Sequence, residues 1–193
     1  MMTLPRHFIG ASGIPDRMAC GLAIILRASF YCFETQEWSF MGDTLDVLAH
    51  YDSSRVFVFD GIASTVEYAL PGADSDIEGL SCCDEATKRE RHHQLSYEAC
   101  SALSRILTRF TLGFYQGDLT LTVPAMLCLE KVYRHTVKIL VEDLDQDNPC
   151  SPTLVPDKDF WQNVAVAIYS VCRSPDPDTS KQGVGCFQRI ILC

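Results

Sequence analysis

Apolar residues recur at intervals of three and four positions along most of the chain, which is the spacing of amphipathic α-helices. Almost no segment alternates between apolar and polar residues as a half-buried strand does, and the run 56–59 is apolar throughout. Residues typical of helix ends, such as Pro71 and Ser96, punctuate the pattern. The pattern predicts helices over 16–33, 37–51, 55–70, 96–115, 122–140, 160–171 and 178–192. We therefore predict an all-α protein.

Two polar segments interrupt the helical pattern, and together they hold 12 of the 25 acidic residues. The segment 71–95 has six acidic and three basic residues and almost no large apolar side chain, which predicts an acidic loop or disordered insertion. The segment 142–159 has six acidic residues and three prolines, which predicts an acidic linker. These connections divide the chain into a helical repeat segment over 1–70, a helical pair over 96–141 and a HEAT-like helical pair over 160–193.

The predicted helices group into antiparallel pairs of about 40 residues, which is the size of a HEAT or armadillo repeat. A pair of this kind buries its apolar face only by stacking on a neighbouring pair. In the last pair, an Asp-Pro turn at Asp176 is followed by Lys181, an order that suits capping between the two helices of a repeat. The predicted architecture is a HEAT-like or armadillo-like helical array, and a compact helical bundle is the alternative for the same helices.

The net charge argues against nucleic-acid binding, and the hydropathy of the chain argues against a transmembrane segment. The net charge of −9 gives no basic footprint for the phosphates of a nucleic acid, so nucleic-acid binding is not expected. The apolar stretch 18–26 is followed at once by Arg27 and is far shorter than the roughly 20 residues of a membrane span. The segment 1–13 lacks the order of regions found in a secretory signal. We therefore expect a cytoplasmic protein with no transmembrane segment.

Ten cysteines are the main compositional oddity, and none of them forms a C-x-x-C pair. Several lie within apolar stretches, where a reduced thiol packs as a small apolar side chain, so buried free thiols are favoured over disulfides. The pairs Cys82-Cys83 and His92-His93 are the only concentrated soft ligands. Adjacent residues do not readily place both side chains in one tetrahedral shell, so no metal and no cofactor are predicted.

Candidate catalytic residues are few. None of the common phosphate-binding, serine-hydrolase or zinc-protease motifs occurs in the sequence. Asp43, Asp46 and Glu130 are interpreted as carboxylates on solvated helix faces. A thiol-dependent enzyme that uses Cys100 as nucleophile and His135 as base is the alternative of a different functional class.

Several stretches resemble a known family. The segments 25–30, 38–48 and 55–64, which read ILRASF, WSFMGDTLDVL and RVFVFDGIAS, resemble the region after the Sec7 domain in large Arf guanine-nucleotide exchange factors of the Golgi brefeldin-resistance, GNOM and Gea type. The segment 160–191 is similar to the later HEAT-like units of that family. The Phe-Arg-x-x-Gly-Glu pattern of the catalytic Sec7 domain is absent, so the resemblance assigns no catalytic residue.

The resemblance implies a non-enzymatic regulatory or scaffolding segment that acts in Golgi vesicle transport. Its implied partners are proteins, including other domains of the same parent protein, with peripheral contact to Golgi membranes. The candidate interaction surface is formed by Trp38, Arg55, Asp60 and Trp161, although packing in the core is the alternative role of the two tryptophans. A general helical protein-binding adaptor unrelated to Arf is a further alternative.

Overall fold

The computed structural model describes residues 35–68, 85–115, 119–144 and 158–192, together with Ile25 and Pro156. These residues form helices and turns and no strand, which confirms the all-α class for the described part of the chain. The helices are α1 (Thr35–Ala49), α2 (Asp52–Tyr68), α3 (Glu85–Thr111), α4 (Thr122–Leu144), α5 (Lys158–Cys172) and α6 (Pro177–Ile191), with a short 3-10 helix at Leu119–Leu121. The helix predicted over 16–33 lies outside the described residues, apart from Ile25.

Helix α3 is the main correction to the predicted boundaries. It begins at Glu85, so the predicted connection over 71–95 is wrong for its last eleven residues, 85–95. The early turns of α3 are rich in Glu, Ala, Lys and Arg, which are strong helix formers although they carry no apolar pattern. Helix α4 likewise continues to Leu144 and α5 begins at Lys158, so both extend into the predicted linker over 142–159.

The helices stack as three hairpins in two layers. Helices α1, α3 and α5 contact one another in sequence to form one layer, and α2, α4 and α6 form the other. The central pair, α3 with α4, makes the most extensive contact, so the hairpin α1–α2 covers one side of it and the hairpin α5–α6 covers the other. The predicted pairing of neighbouring helices is therefore present in the described part of the chain.

Contacts between named residues give the relative directions of the helices. Asp43 and Asp46 of α1 pair with Arg105 and Arg109 of α3 in the same order, so α1 and α3 run in parallel. Within the last hairpin the order is reversed, because the Ser180 hydroxyl donates to the Cys172 carbonyl while Gly183 lies against Val171. Parallel neighbours within a layer and an antiparallel pair between layers are the geometry of stacked helical hairpins.

The core runs through all three hairpins and contains several large aromatic side chains. Trp38, Phe110, Tyr115 and Phe160 are each at most 2% exposed. The rings of Phe59 in α2 and Phe110 in α3 meet edge-on with centroids 5.5 Å apart, so the first two hairpins share one apolar interior.

Helix α3 ends in a turn that depends on the backbone conformation of Gly113. Gly113 has a φ of 67°, a conformation that a residue with a Cβ rarely adopts. The Phe114 amide donates to the Arg109 carbonyl and the Gly113 amide to the Phe110 carbonyl, which together are the two bonds of a Schellman motif. The helix therefore stops at Thr111, before the 116–118 interruption that the sequence pattern indicates, and Tyr115 turns back towards α1.

The last helix has a side-chain cap in the Asp-Pro turn that the sequence indicates as a capping site. The Asp176 carboxylate accepts a 2.8 Å hydrogen bond from the Thr179 amide, and Pro177 occupies the first turn. Both features fix where α6 begins, close to the predicted start at Asp178.

Candidate functional site

The four residues predicted to form an interaction surface do not form one. Trp38 is 1% exposed and lies in the core, which is the alternative role given above for the two tryptophans. Arg55 is 6% exposed, because its Nε donates to the Ala49 carbonyl and its Nη2 to the Asp52 carboxylate, which closes the turn between α1 and α2. Trp161 is half-buried against the rings of Tyr133 and Phe160, so Asp60 alone of the four is exposed.

The thiol of Cys100 lies in an environment suited to packing. Cys100 is fully buried, and this burial raises the pKa of its thiol to about 12, even though a hydrogen bond with Thr136 acts in the opposite direction. A nucleophilic cysteine needs the opposite shift, because the thiolate is the reactive form. Across the α3–α4 contact, the Cys100 thiol is hydrogen-bonded to Thr136, the residue that follows His135 in the chain. His135 is the base in the thiol-enzyme alternative.

Four cysteines are described by the structure, and all of them are free thiols. Cys100 and Cys186 are buried, while Cys128 and Cys172 are half-buried. Burial is the main cause of a raised pKa in three of them, to about 12 for Cys100 and Cys186 and to about 11 for Cys128. The thiols of Cys100, Cys128 and Cys186 are therefore neutral at physiological pH and pack as small apolar groups.

We expect Cys100 and Cys186 to alkylate at least about 100-fold more slowly in the native protein than in denaturant, because both thiols are protonated and buried. The measurement is iodoacetamide labelling at pH 7.5, quantified for each cysteine by peptide mass spectrometry. Rapid native labelling of Cys100 with sparing of Cys186 would instead support the thiol-enzyme alternative.

A polar cluster around Asp46 joins the first two hairpins. The Asp46 carboxylate accepts hydrogen bonds from Arg109 and, at 2.6 Å, from the Tyr115 hydroxyl. The His50 ring meets the Tyr115 ring edge-on with centroids 5.1 Å apart. Burial by itself raises the pKa of Asp46, but the hydrogen bonds from Arg109 and Tyr115 and the charge of Arg109 outweigh it and hold the pKa below its usual value.

A second polar cluster, around Glu130, joins the last two hairpins. Glu130 is 7% exposed, and its two carboxylate oxygens accept bonds of 2.7 and 2.6 Å from the guanidinium of Arg189. Arg134 lies 3.1 Å from the same carboxylate, and the Cys186 thiol is also hydrogen-bonded to it. Burial raises the pKa of Glu130, but these hydrogen bonds and positive charges together lower it below its usual value. Both carboxylates thus pair with arginine. Of the three carboxylates interpreted as lying on solvated helix faces, Asp43 is exposed, Asp46 is half-buried and Glu130 is buried.

Replacing Tyr115 with phenylalanine should destabilise the protein by about 1 kcal/mol at pH 7, because the Asp46 carboxylate loses one donor but keeps Arg109. A lowered pKa means that Asp46 stabilises the fold above the pKa of the unfolded chain and ceases to do so as pH falls through the lower folded value. The difference between the two proteins should therefore shrink below about pH 4.

Urea denaturation at pH 7 and at pH 3 measures this effect. A difference between wild type and Tyr115→Phe that is independent of pH would contradict the assigned role of the Asp46 carboxylate. The ring contacts of Tyr115 with His50 and Phe110 are retained in the variant, so they do not contribute to the difference.

The first hairpin has several exposed apolar side chains. Phe40 and Val47 are 57% and 48% exposed and lie seven residues apart, on the same side of α1. Tyr51 in the turn and Val56 in the first part of α2 are also exposed. We call Phe40 and Val47 the first-hairpin face. Asp60, one helical turn after Val56 in α2, is also exposed.

A second exposed apolar face lies on the last hairpin. Val184, Phe187 and Ile191 recur at three and four positions along α6 and are 44%, 50% and 65% exposed. Val166 and Tyr169 of α5 are 44% and 62% exposed. We call these five residues the last-hairpin face. The sequence indicates these exposed apolar residues, because α6 has more apolar residues than a single buried side of the helix needs.

The described residues contain neither a metal site nor a membrane-spanning helix. No group of three or more His, Cys, Asp and Glu side chains among them could hold a metal ion. Cys82 and Cys83, and the side chains of His92 and His93, lie outside the described part, so the proposed soft-ligand pairs are not placed. No helix in the ranges given above is both long and apolar enough to cross a membrane.

Comparison with known proteins identifies no relative whose function could be transferred to this chain. No family model, no curated protein and no solved structure matches the chain.

Proposed function

We propose that the chain is a non-catalytic scaffold of stacked helical hairpins that binds a protein partner through the first-hairpin face. The observation that carries the proposal is the exposure of Phe40 and Val47 on one side of α1. Aromatic residues are enriched at protein interfaces, where burying them removes apolar surface from water.

The internal polar groups support a scaffold over an enzyme. The Asp46 carboxylate is engaged by Arg109 and Tyr115, and the Glu130 carboxylate by Arg189 and Arg134. These ion pairs link one hairpin to the next. Because the pKa values of the Asp46 and Glu130 carboxyl groups are lowered, both groups suit permanent ion pairs rather than proton transfer near neutral pH. The thiol-dependent alternative would need a reactive cysteine, and the environment of Cys100 disfavours one.

A finer proposal concerns the type of repeat and the parent protein. We propose a HEAT-like or armadillo-like unit from the regulatory region of an Arf guanine-nucleotide exchange factor that acts in Golgi vesicle transport, peripheral to the membrane. Its support is the likeness of the segments 38–48 and 55–64 to that region, and these segments lie in α1 and α2. The first-hairpin face would then contact other domains of the parent protein.

The scaffold proposal can be tested by proximity labelling in cells with a biotin ligase fused to the full chain. The double variant Phe40→Asp, Val47→Asp should lose a defined set of labelled proteins. The matched control is Phe114→Asp, since Phe114 is 66% exposed but lies in the turn after α3. The same labelled set for all three proteins would refute binding through the first-hairpin face.

The finer proposal requires purified components. We expect the chain to bind an isolated Sec7 domain and to change the rate at which that domain exchanges nucleotide on Arf, and the Phe40→Asp, Val47→Asp variant to lose both effects. Phe114→Asp should retain them. If the chain neither binds the Sec7 domain nor alters exchange, the exchange-factor assignment is refuted, while a variant-dependent labelling result would leave a general adaptor.

A further inference from the structure

We propose that the partner segment bound by the first-hairpin face is a basic amphipathic helix. Its apolar residues cover Phe40 and Val47, and a lysine or arginine between them pairs with Asp43. The inference rests on the proposed scaffold function and adds to it the chemistry of the partner.

Asp43 lies between the two residues of the first-hairpin face along α1. It follows Phe40 by three positions and precedes Val47 by four, which is the spacing of side chains on one side of a helix. The Asp43 side chain is 68% exposed, although its Oδ1 accepts a 2.6 Å bond from Arg105 Nη2. A carboxylate accepts several hydrogen bonds, so a base of the partner can pair with Asp43 without displacing Arg105.

The first hairpin is the acidic part of the described chain. Residues 35–68 hold six acidic residues and one basic residue, whereas the described residues of 85–144 and 158–192 together hold nine acidic and twelve basic residues. Arg105, Arg109 and Lys131 of the central hairpin pair with three of the six acids. Even with these three bases counted, acidic residues outnumber basic ones by two at this hairpin. Its charge therefore attracts a basic partner and repels an acidic one.

The contact between α1 and α3 shows how a basic helix packs along α1. Arg105 and Arg109 lie one turn apart on α3 and pair with Asp43 and Asp46. Between the same two helices, Gly42 approaches Ala102 so closely that an added Cβ would lie 3.4 Å from the Ala102 Cβ. A partner helix that combines bases with apolar residues at helical spacing would use the same chemistry on the exposed side of α1.

The dimensions of the face also fit a helix. Phe40 and Val47 are seven residues apart, which corresponds to about 10 Å along α1. Two apolar residues seven positions apart on a partner helix span the same distance and lie on one side of it. A base near the midpoint of that span lies opposite Asp43.

The test is the binding of two synthetic peptides of about 18 residues, or about five helical turns, to the purified full chain. Both peptides carry leucine along one side of the helix, and the remaining positions are lysine in the basic peptide and glutamate in the acidic one. Fluorescence anisotropy gives the dissociation constants. We expect the basic peptide to bind at least about 10-fold more tightly than the acidic one. The difference should shrink at about 1 M NaCl, at which charges are screened beyond about 3 Å.

Two substitutions in one ion pair separate partner binding from a structural role of Asp43. Both Asp43→Asn and Arg105→Gln break the pair that joins α1 to α3. Asp43→Asn removes an acid and should raise the dissociation constant of the basic peptide about 3-fold, whereas Arg105→Gln removes a base and should lower it or leave it unchanged. If the pair served only to hold α1 on α3, both variants would weaken binding alike.

Control variants locate the binding site. Phe40→Ser, Val47→Ser should raise the dissociation constant of the basic peptide at least about 10-fold. Phe114→Ser and Asp178→Asn alter an exposed aromatic residue and an exposed acid outside the first hairpin, and each should change it by less than about 1.5-fold. Each variant is first checked for a helical circular dichroism spectrum.

Three results would overturn the inference. They are equal affinities for the two peptides, no binding of the basic peptide up to about 100 μM, and equal weakening by Asp43→Asn and Arg105→Gln. The scaffold function is judged separately by the labelling experiment in cells. A labelled set that still depends on Phe40 and Val47 would leave that function in place with a partner of different chemistry.

Discussion

Replacing Trp38 with alanine is expected to destabilise the protein by about 3–5 kcal/mol, the usual range for removal of a large buried aromatic side chain. Trp38 is 1% exposed and is among the largest fully buried side chains in the described part. Because the core is continuous across the hairpins, the loss should lower the stability of the whole stack rather than unfold α1 alone. Urea denaturation followed by far-ultraviolet circular dichroism gives the free energy of unfolding.

The matched control for Trp38→Ala is Phe40→Ala. Phe40 lies two residues away in the same helix but is 57% exposed, so its loss should change stability by no more than about 0.5 kcal/mol. Similar effects of the two substitutions would contradict the placement of Trp38 in the core and Phe40 on the surface.

Replacing Gly183 with alanine should destabilise the protein by about 1–3 kcal/mol, because an added methyl group has no room at the α5–α6 contact. A Cβ at this position would lie 2.7 Å from the Cys172 amide nitrogen and 2.9 Å from the Val171 carbonyl carbon. These are backbone atoms, so the clash is relieved only by moving the two helices apart.

Gly185 provides the control for Gly183→Ala within the same helix. A Cβ there would meet only the end of the Arg189 side chain, at 3.4 Å. Because alanine favours a helix over glycine by up to about 1 kcal/mol, Gly185→Ala should be neutral or stabilising. Thermal denaturation of both variants tests the contrast, and equal melting temperatures would refute the close approach of α5 and α6.

The sequence pattern located helices better than it located side chains. The spacing of Trp161, Val164, Ile168 and Val171 predicted one apolar side of α5. The last three are buried and Trp161 is half-buried. It left Arg55 as a surface candidate, since nothing local shows that its guanidinium turns back onto the Ala49 carbonyl. It also ended the predicted loop at residue 95, because a charged helix such as the first part of α3 lacks the apolar repeat that the pattern depends on.

The proposed interaction face on the first hairpin was only partly visible in the sequence. Phe40 and Val47 have helical spacing, but so do the buried residues of α1, and spacing alone does not reveal which of two apolar stripes is covered. The two tryptophans proposed for the interaction surface, Trp38 and Trp161, are buried and half-buried, in line with the alternative role in packing. The exposed aromatic side chains of the described residues are those of Phe40, Tyr51, Phe114, Tyr169 and Phe187.

The sequence by itself determined the helical class and the approximate position of most described helices, because period and capping are local properties of the chain. Only the tertiary structure decided which residues meet. Asp46 pairs with Arg109 and Glu130 with Arg189, partners that lie 63 and 59 positions apart in the chain. It also separated the buried stripe of each helix from the exposed one, because burial depends on where neighbouring hairpins pack, and the spacing within a single helix carries no record of that.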